Sequence, residues 1–311
     1  MGPDIIVARI KTLKKKLNAV ILAHNYQLPE VQDIADFLGD SLDLSRKAAS
    51  TEADVIVFCG VHFMAETAAI LSPEKTVLLP AIDSGCPMAD MIDAAKLAAL
   101  KKNHPNAVVA AYVNTSAEVK AESDICVTSA NAVQIIKSLG GNPATAGRDI
   151  IFVPDRNLGH YVMTQTGKDM ILYDGYCPTH NNILPEHVLK ARQQHPGAEV
   201  VVHPECRPEV IKLADKVLST SGMVNYAKTS KNKEIIIGTE PGIIYRLKKD
   251  SPDKEFYPAS DAAVCRNMKK NTLEKVLWSL ENMKNVIKVE EPVRSKAKLA
   301  IDKMLEYSRQ D

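Results

Sequence analysis

Short apolar runs rich in β-branched residues alternate with segments of helical periodicity along most of the chain. This alternation predicts α/β units whose strands are parallel and buried on both faces. The runs predicted as strands are 19–23, 55–58, 76–79, 107–111, 124–127, 149–153, 199–202, 216–218 and 234–237. The stretches 272–280 and 295–307 are predicted as helices with one charged side, and we expect them to pack back on the first unit.

A loop with a single cysteine occurs three times, each time after an apolar run. The cysteines are Cys86, Cys177 and Cys265, which lie 91 and 88 residues apart. This regular spacing favours one unit used three times. We therefore predict three α/β units around a pseudo-three-fold axis, with one polar site where the carboxyl ends of their strands meet. The predicted domains are 1–84 plus 256–311, 85–171 and 172–255.

The overall composition argues against several classes of partner. The chain has 39 Lys and Arg against 38 Asp and Glu, so its net charge of +1 offers no basic surface for nucleic acid or anionic lipid. No apolar run approaches the ~20 residues of a membrane-spanning helix, and the N-terminal segment is amphipathic and lacks the apolar core of a secretion signal. We predict a cytoplasmic protein without nucleic-acid or membrane partners.

Six cysteines in a cytoplasmic chain are expected to be reduced. Cys59 and Cys126 lie in apolar runs and are expected to be buried. Cys206 lies on a polar loop and is a further candidate for a functional thiol beside the three periodic cysteines. One thiolate from each of three distant loops suits an iron–sulfur cluster with one open iron. Two alternatives stay open. One is a zinc site that includes His180, three residues after Cys177, and the other is that the three thiols are unrelated to one another.

Polar residues follow the predicted strands. His24 and Tyr26 are two residues apart, as are His203 and Glu205, so each pair projects to one side of an extended chain. A histidine beside a carboxylate can act as base and acid. Hydroxyls that could bind a substrate carboxylate at helix starts are those of Ser41, Ser129, Ser219 and Thr220. Hydrogen-bonded scaffolding for the histidines and helix caps for the hydroxyls are the simpler alternatives.

Nine strings in order resemble the iron–sulfur quinolinate synthase (A-type) family of NAD biosynthesis. They extend over most of the chain between His24 and Met268 and comprise 23–27 (AHNYQ), 39–42 (GDSL), 60–67 (GVHFMAET), 85–89 (GCPMA), 112–118 (YVNTSAE), 154–159 (PDRNLG), 177–180 (CPTH), 203–206 (HPEC) and 238–240 (GTE).

The resemblance implies a transferase that condenses iminoaspartate with dihydroxyacetone phosphate to give quinolinate, phosphate and water. An aspartate oxidase or dehydrogenase would supply the iminoaspartate. It also implies three similar three-layer α/β/α domains with parallel sheets, and one [4Fe-4S] cluster per chain held by Cys86, Cys177 and Cys265 with one iron open. Cys206 is not among the implied ligands.

The implied site residues follow the family pattern position by position. Glu205, Tyr26 and His203 are implied to be catalytic. The residues implied to bind substrate are His24, Ser41, Tyr112, Asn114, Ser129, His203, Glu205, Ser219 and Thr220. Two other functions stay open: a different [4Fe-4S] hydro-lyase on the same scaffold, and a non-enzymatic protein that binds zinc or a small molecule.

Overall fold

In the computed structural model, residues 2–142 and 145–308 are described, and their thirteen strands form three sheets. The first unit comprises α1 (Pro3–Lys16), β1 (Ala19–His24), α2 (Pro29–Ile34), β2 (Phe37–Gly39), α3 (Ser41–Ser50), β3 (Val55–Cys59), α4 (His62–Leu71) and β4 (Thr76–Leu78). The second comprises α5 (Ala94–Asn103), β5 (Val108–Tyr112), α6 (Ala117–Ala121), β6 (Ile125–Val127), α7 (Ala132–Gly141), β7 (Ile150–Val153), α8 (Arg156–Thr166) and β8 (Ile171–Leu172).

The third unit and the C-terminal segment complete the described chain. The third unit comprises α9 (Pro178–Asn181), α10 (Pro185–Gln194), β9 (Glu199–Val202), α11 (Pro208–Ile211), β10 (Lys216–Val217), α12 (Thr220–Thr229), β11 (Glu234–Gly238), α13 (Ile243–Asp250) and β12 (Glu255–Pro258). The C-terminal segment comprises α14 (Leu273–Asn282), β13 (Val286–Ile287) and α15 (Val293–Tyr307).

Each unit has the same sheet topology. The strand orders are β2-β1-β3-β4, β6-β5-β7-β8 and β10-β9-β11-β12, all parallel, and only β13 joins antiparallel, at the edge of the first sheet. In each unit the second strand in sequence therefore lies outside the first, and the third and fourth lie on its other side. The prediction of an α/β fold with three parallel-sheet units is confirmed.

An aspartate before the second strand repeats in all three units. Asp36, Asp124 and Asp215 each accept a hydrogen bond from a backbone N–H on the neighbouring first strand, at 2.7, 2.8 and 2.8 Å, from a residue 15 positions earlier. The carboxylate thus satisfies a backbone donor at the start of each central strand, where a lost bond would cost about 1–3 kcal/mol. The same interaction at the same spacing is a direct mark of the repeated unit.

Both faces of the sheets are covered, which explains the near-continuous apolar strands. One central cluster takes residues from one face of every sheet, such as Leu22, Ala110 and Val201. The opposite faces pack into separate outer clusters, one for each unit. Alternate residues of β1 therefore belong to different layers: Val20 and Leu22 face the central core, whereas Ile21 and Ala23 face α1 and α14. This is the three-layer α/β/α arrangement.

The C-terminal helices contact two units. Helix α14 packs on α1 of the first unit, as expected, whereas α15 packs mainly on α6 and β6 of the second. The expectation that both helices pack on the first unit is therefore wrong for α15. The predicted boundaries between residues 171 and 172 and between 255 and 256 fall inside β8 and β12, so each of these strands stays with the preceding sheet. The division into domains otherwise stays a prediction. Within the described residues, no helix is both long and apolar enough to cross a bilayer.

Candidate active site

The strand registers make residues of the three units equivalent. Ala23, Ala111 and Val202 pair with Cys59, Val153 and Gly238 at the ends of the third strands. Continuing along the chain from these pairs aligns the predicted site residues in threes. These are His24, Tyr112 and His203; Tyr26, Asn114 and Glu205; and Ser41, Ser129 and Thr220.

One cavity of about 380 Å³ collects almost all of these side chains. The predicted site residues that line it are His24, Tyr26, Ser41, Cys86, Tyr112, Asn114, Ser129, Cys177, His203, Glu205, Thr220 and Cys265. They come from the carboxyl ends of strands in all three sheets, where parallel α/β folds bind ligands.

The predicted ligands Cys86, Cys177 and Cys265 open into this cavity, and the other cysteines do not. Cys206 is fully buried and its thiol lies 3.3 Å from the carbonyl oxygen of Gly238. Burial raises the pKa of the Cys86 thiol to about 12, and the nearby Cys265 adds to the rise. A thiol with a raised pKa keeps its proton in the absence of a metal, and it becomes a thiolate ligand when a metal replaces that proton. The donor set therefore fits a thiolate-bound metal centre.

Glu205 lies at the centre of the polar wall, with only 3% of its surface exposed. Its Oε1 accepts a hydrogen bond from the Tyr112 hydroxyl, and its Oε2 lies 2.6 Å from Nδ1 of His180. Burial opposes ionisation, but the hydrogen bonds from His180 and Tyr112 stabilise the carboxylate and hold the pKa of Glu205 below its usual range. Burial and the Glu205 charge raise the pKa of Tyr112 well above its usual value. At neutral pH we therefore assign Glu205 as a carboxylate that accepts this hydrogen bond and Tyr112 as the phenol that donates it.

His180 connects Glu205 to Tyr26. Its Nε2 lies 2.7 Å from the Thr239 hydroxyl oxygen, which also contacts the hydroxyl of Tyr26. Burial, with the Glu205 charge, raises the pKa of Tyr26 well above its usual value, so this phenol also keeps its proton. A chain of hydrogen bonds therefore runs from Tyr26 through Thr239 and His180 to the Glu205 carboxylate.

His180 also belongs to a group that could hold a metal ion. Atoms of Cys177, His180 and Glu205 lie within 4.8 Å of one another, with the Cys177 thiol 3.2 Å from Nδ1 of His180. Two ligands on a tetrahedral zinc with bonds of about 2.0–2.1 Å would lie roughly 3.3 Å apart. The His180–Glu205 separation of 2.6 Å is instead that of a hydrogen bond.

His24 and His203 are buried and electrically neutral near pH 7. Burial lowers the pKa of each to about 3, against the opposing attraction of Glu205. Nε2 of His203 lies 3.2 Å from the Ser129 hydroxyl oxygen. A neutral imidazole presents one N–H donor and one acceptor, so both residues can hydrogen-bond a substrate oxygen without adding charge.

Two of the three equivalent hydroxyl residues, Ser41 and Thr220, are the first residues of α3 and α12. Ser129 precedes α7. Backbone N–H groups and the helix dipole at such ends favour anionic groups. The amide oxygen of Asn114 is buried and has no hydrogen-bond partner among the described residues, so it is available to a ligand.

Ser219 is placed differently from the other predicted substrate residues. It does not line the cavity. Its hydroxyl oxygen caps α12 by accepting the Gly222 N–H at 3.2 Å, and it donates to Asp40 Oδ2 at 3.1 Å. By the register, Ser219 is equivalent to Asp40, which caps α3. A direct contact of Ser219 with substrate stays a prediction, whereas its capping bond is observed.

Sequence reasoning considered His180 only as a zinc ligand and missed Thr239. The signal for Thr239 lies in the strand register, because this residue directly follows the third strand of its unit. That register needs the sheet pairing, which the linear sequence alone does not provide.

Comparison with known proteins gives a consistent result. Residues 8–306 match the family model described as quinolinate synthetase A protein. A protein of Dehalococcoides mccartyi (strain CBDB1) named quinolinate synthase is 57% identical over 305 residues, covering 98% of this chain and 99% of its own. Proteins with the same name from Methanosarcina barkeri and Thermodesulfovibrio yellowstonii are each 57% identical over 300 residues, covering 96% of this chain and 97% of their own.

Proposed function

The chain belongs to the quinolinate synthetase A family, and we propose that it condenses iminoaspartate with dihydroxyacetone phosphate to give quinolinate, phosphate and water. The observation that carries the proposal is one cavity. Three equivalent loops each direct one cysteine into it, beside Glu205 and the side chains that hydrogen-bond to Glu205. An oxidase or dehydrogenase acting on aspartate would supply the imine.

We propose that Cys86, Cys177 and Cys265 hold one [4Fe-4S] cluster. The three thiols are the only ones in the described chain that line the cavity, and thiolates are the usual ligands of such clusters. When bound, a cluster with one open iron supplies a Lewis acid toward a substrate oxygen or nitrogen.

The substrate's carboxylates would bind where neutral donors and helix starts meet. Ser41, Ser129 and Thr220 lie at or just before helix N-termini, and the neutral His24 and His203 add N–H donors. These groups attract negative charge although none of them is itself a cation. The surrounding apolar residues, such as Val61 and Phe63, limit water near a hydrolysable imine.

We assign the proton transfers to Glu205 and the side chains that hydrogen-bond to it. Its carboxylate is ionised at neutral pH and can take a proton from a substrate carbon or nitrogen. The Tyr26 and Tyr112 phenols keep their protons and can donate hydrogen bonds to a departing oxygen. His180 holds the proton on Nδ1 that bonds to Glu205, which leaves Nε2 to accept from Thr239. Their environments thus keep Glu205 ionised and Tyr26 and Tyr112 protonated at neutral pH.

The test is metal analysis and turnover on protein purified without oxygen. We expect iron and sulfide for about one cubane cluster per chain, and quinolinate formation from the two substrates. Changing Cys86, Cys177 or Cys265 to Ser should abolish both, while Cys206→Ser keeps both because that thiol lies outside the cavity. Zinc in place of iron would instead favour the Cys177–His180–Glu205 centre, and turnover of hydroxy acids without quinolinate would indicate a hydro-lyase.

A further inference from the structure

The loops that carry Cys177 and Cys265 each lie beside a buried carboxylate that the proposed reaction does not use. Asp155 is fully buried, and its Oδ2 accepts the backbone N–H of Cys177 at 3.1 Å. Glu240 is also fully buried, and its Oε1 lies 3.0 Å from the ammonium of Lys269. Lys269 belongs to the turn that starts at Cys265, because its backbone N–H donates to the Cys265 carbonyl oxygen.

The strand register shows that these two carboxylates occupy the same position. Asp155 lies two residues after Val153, and Glu240 lies two residues after Gly238, the residues that end the third strands and pair with the central strands. Two units therefore use an acidic side chain at the same place to hold their own cysteine loop. A buried carboxyl group has two oxygens that can accept backbone hydrogen bonds, so the arrangement is suited to this task.

The first unit differs at this position. Its equivalent residue is Val61, two residues after Cys59. The Cys86 loop is held instead by Ser84, whose hydroxyl donates to the carbonyls of Gly60 and Ala81, and by Asn271, whose amide donates to Gly60 at 2.8 Å. The Cys86 loop therefore provides an internal comparison without a carboxylate.

We propose that Asp155 and Glu240 are positioning residues that fix the Cys177 and Cys265 loops in the geometry of the shared ligand site. This inference rests on the proposed function for what the site binds, but the positioning itself concerns residues of this chain. Asp155 has two separable bonds: Oδ1 caps α8 by accepting the Leu158 N–H at 2.8 Å, and Oδ2 holds Cys177. In Asp155→Asn, the one remaining oxygen can keep the cap, while the amide nitrogen cannot accept from Cys177.

The experiment is amide hydrogen exchange on the full chain purified without oxygen, repeated after iron removal. In the unchanged protein, the amides of Cys177 and Leu158 should both be protected. In Asp155→Asn, exchange at Cys177 should rise roughly tenfold, the scale expected for losing one hydrogen bond, while Leu158 stays protected. A merely structural role would raise exchange at both amides, and iron loss to a chelator should accelerate in parallel with Cys177 exchange.

Asp93→Asn is the matched control, because Asp93 caps α5 through the same type of bond to Lys96, at 2.7 Å, and lies outside the cavity. It should leave Cys177 exchange and iron release unchanged. Glu240→Gln provides a second variant, with faster exchange expected at the backbone N–H of Lys269, which closes the turn that starts at Cys265.

Unprotected Cys177 in the unchanged protein, or unchanged Cys177 exchange in Asp155→Asn, would overturn the positioning role even if iron were bound. Selective loosening of Cys177 in a protein that binds no iron would support the positioning role and overturn the cluster assignment instead.

Discussion

Replacing Glu205 by Gln tests the chemical core of the proposal. The change keeps the shape of the side chain but removes its charge and its ability to take a proton. One of its two contacts must also change, because the Gln amide group cannot accept from both the Tyr112 hydroxyl and Nδ1 of His180. We expect the protein to fold and to keep its iron, since Glu205 is not among the proposed ligands.

The expected loss follows from the role of the group. General acid–base catalysis contributes about 10²–10⁴-fold to a rate, which corresponds to about 2.7–5.5 kcal/mol in the barrier at 1.36 kcal/mol per tenfold. Turnover of Glu205→Gln should fall within that range. The KM values should change much less, because the proposed carboxylate ligands Ser41, Ser129 and Thr220 lie on other elements.

The assay is quinolinate formation without oxygen, with iron and sulfide measured on the same samples. Glu199→Gln is the matched control, since Glu199 starts β9, the strand that leads to Glu205, and binds Tyr226 away from the cavity. Turnover of Glu205→Gln within about threefold of the unchanged protein, at full iron content, would refute the proton-transfer role, because the expected loss is at least about a hundredfold.

Three further outcomes follow from the same geometry. Cys206→Ser should retain full iron content and activity, because its thiol contacts Gly238 rather than the cavity, and loss of iron in this variant would contradict the ligand set. Ser129→Ala should raise KM for iminoaspartate by about tenfold, the value of one hydrogen bond of ~1.4 kcal/mol, and an unchanged KM would remove Ser129 from the binding site. His203 should make the fold sensitive to acid: burial lowers its pKa to about 3, so below about pH 6.5 the unfolded chain binds a proton that the folded chain does not, and the free energy of unfolding falls by about 1.4 kcal/mol per pH unit. His203→Gln should reduce the slope measured by urea denaturation between about pH 6 and 4 by about 1.4 kcal/mol per pH unit, which leaves the like contribution of His24. Equal slopes would show that His203 is not buried in its neutral form.

The sequence by itself determined the α/β class and the triplication. Both follow from local signals, namely apolar runs of strand length and turns with a single cysteine at nearly equal spacing, and the three parallel sheets confirm them. The resemblance to the family was also carried by the residues alone, and the match over residues 8–306 confirms it. These features are local or linear, so no knowledge of the packing was needed.

Only the tertiary structure decided how each polar group is used. Cys206 and Glu205 are adjacent in sequence, yet the Cys206 side chain turns toward Gly238 and the Glu205 side chain toward Tyr112, 93 residues away. The roles of His180 as the partner of Glu205 and of Asp155 as the anchor of Cys177 depend on the same packing. The chemistry of a buried side chain is set by the neighbours that exclude water and supply its hydrogen bonds, and here those neighbours come from different units.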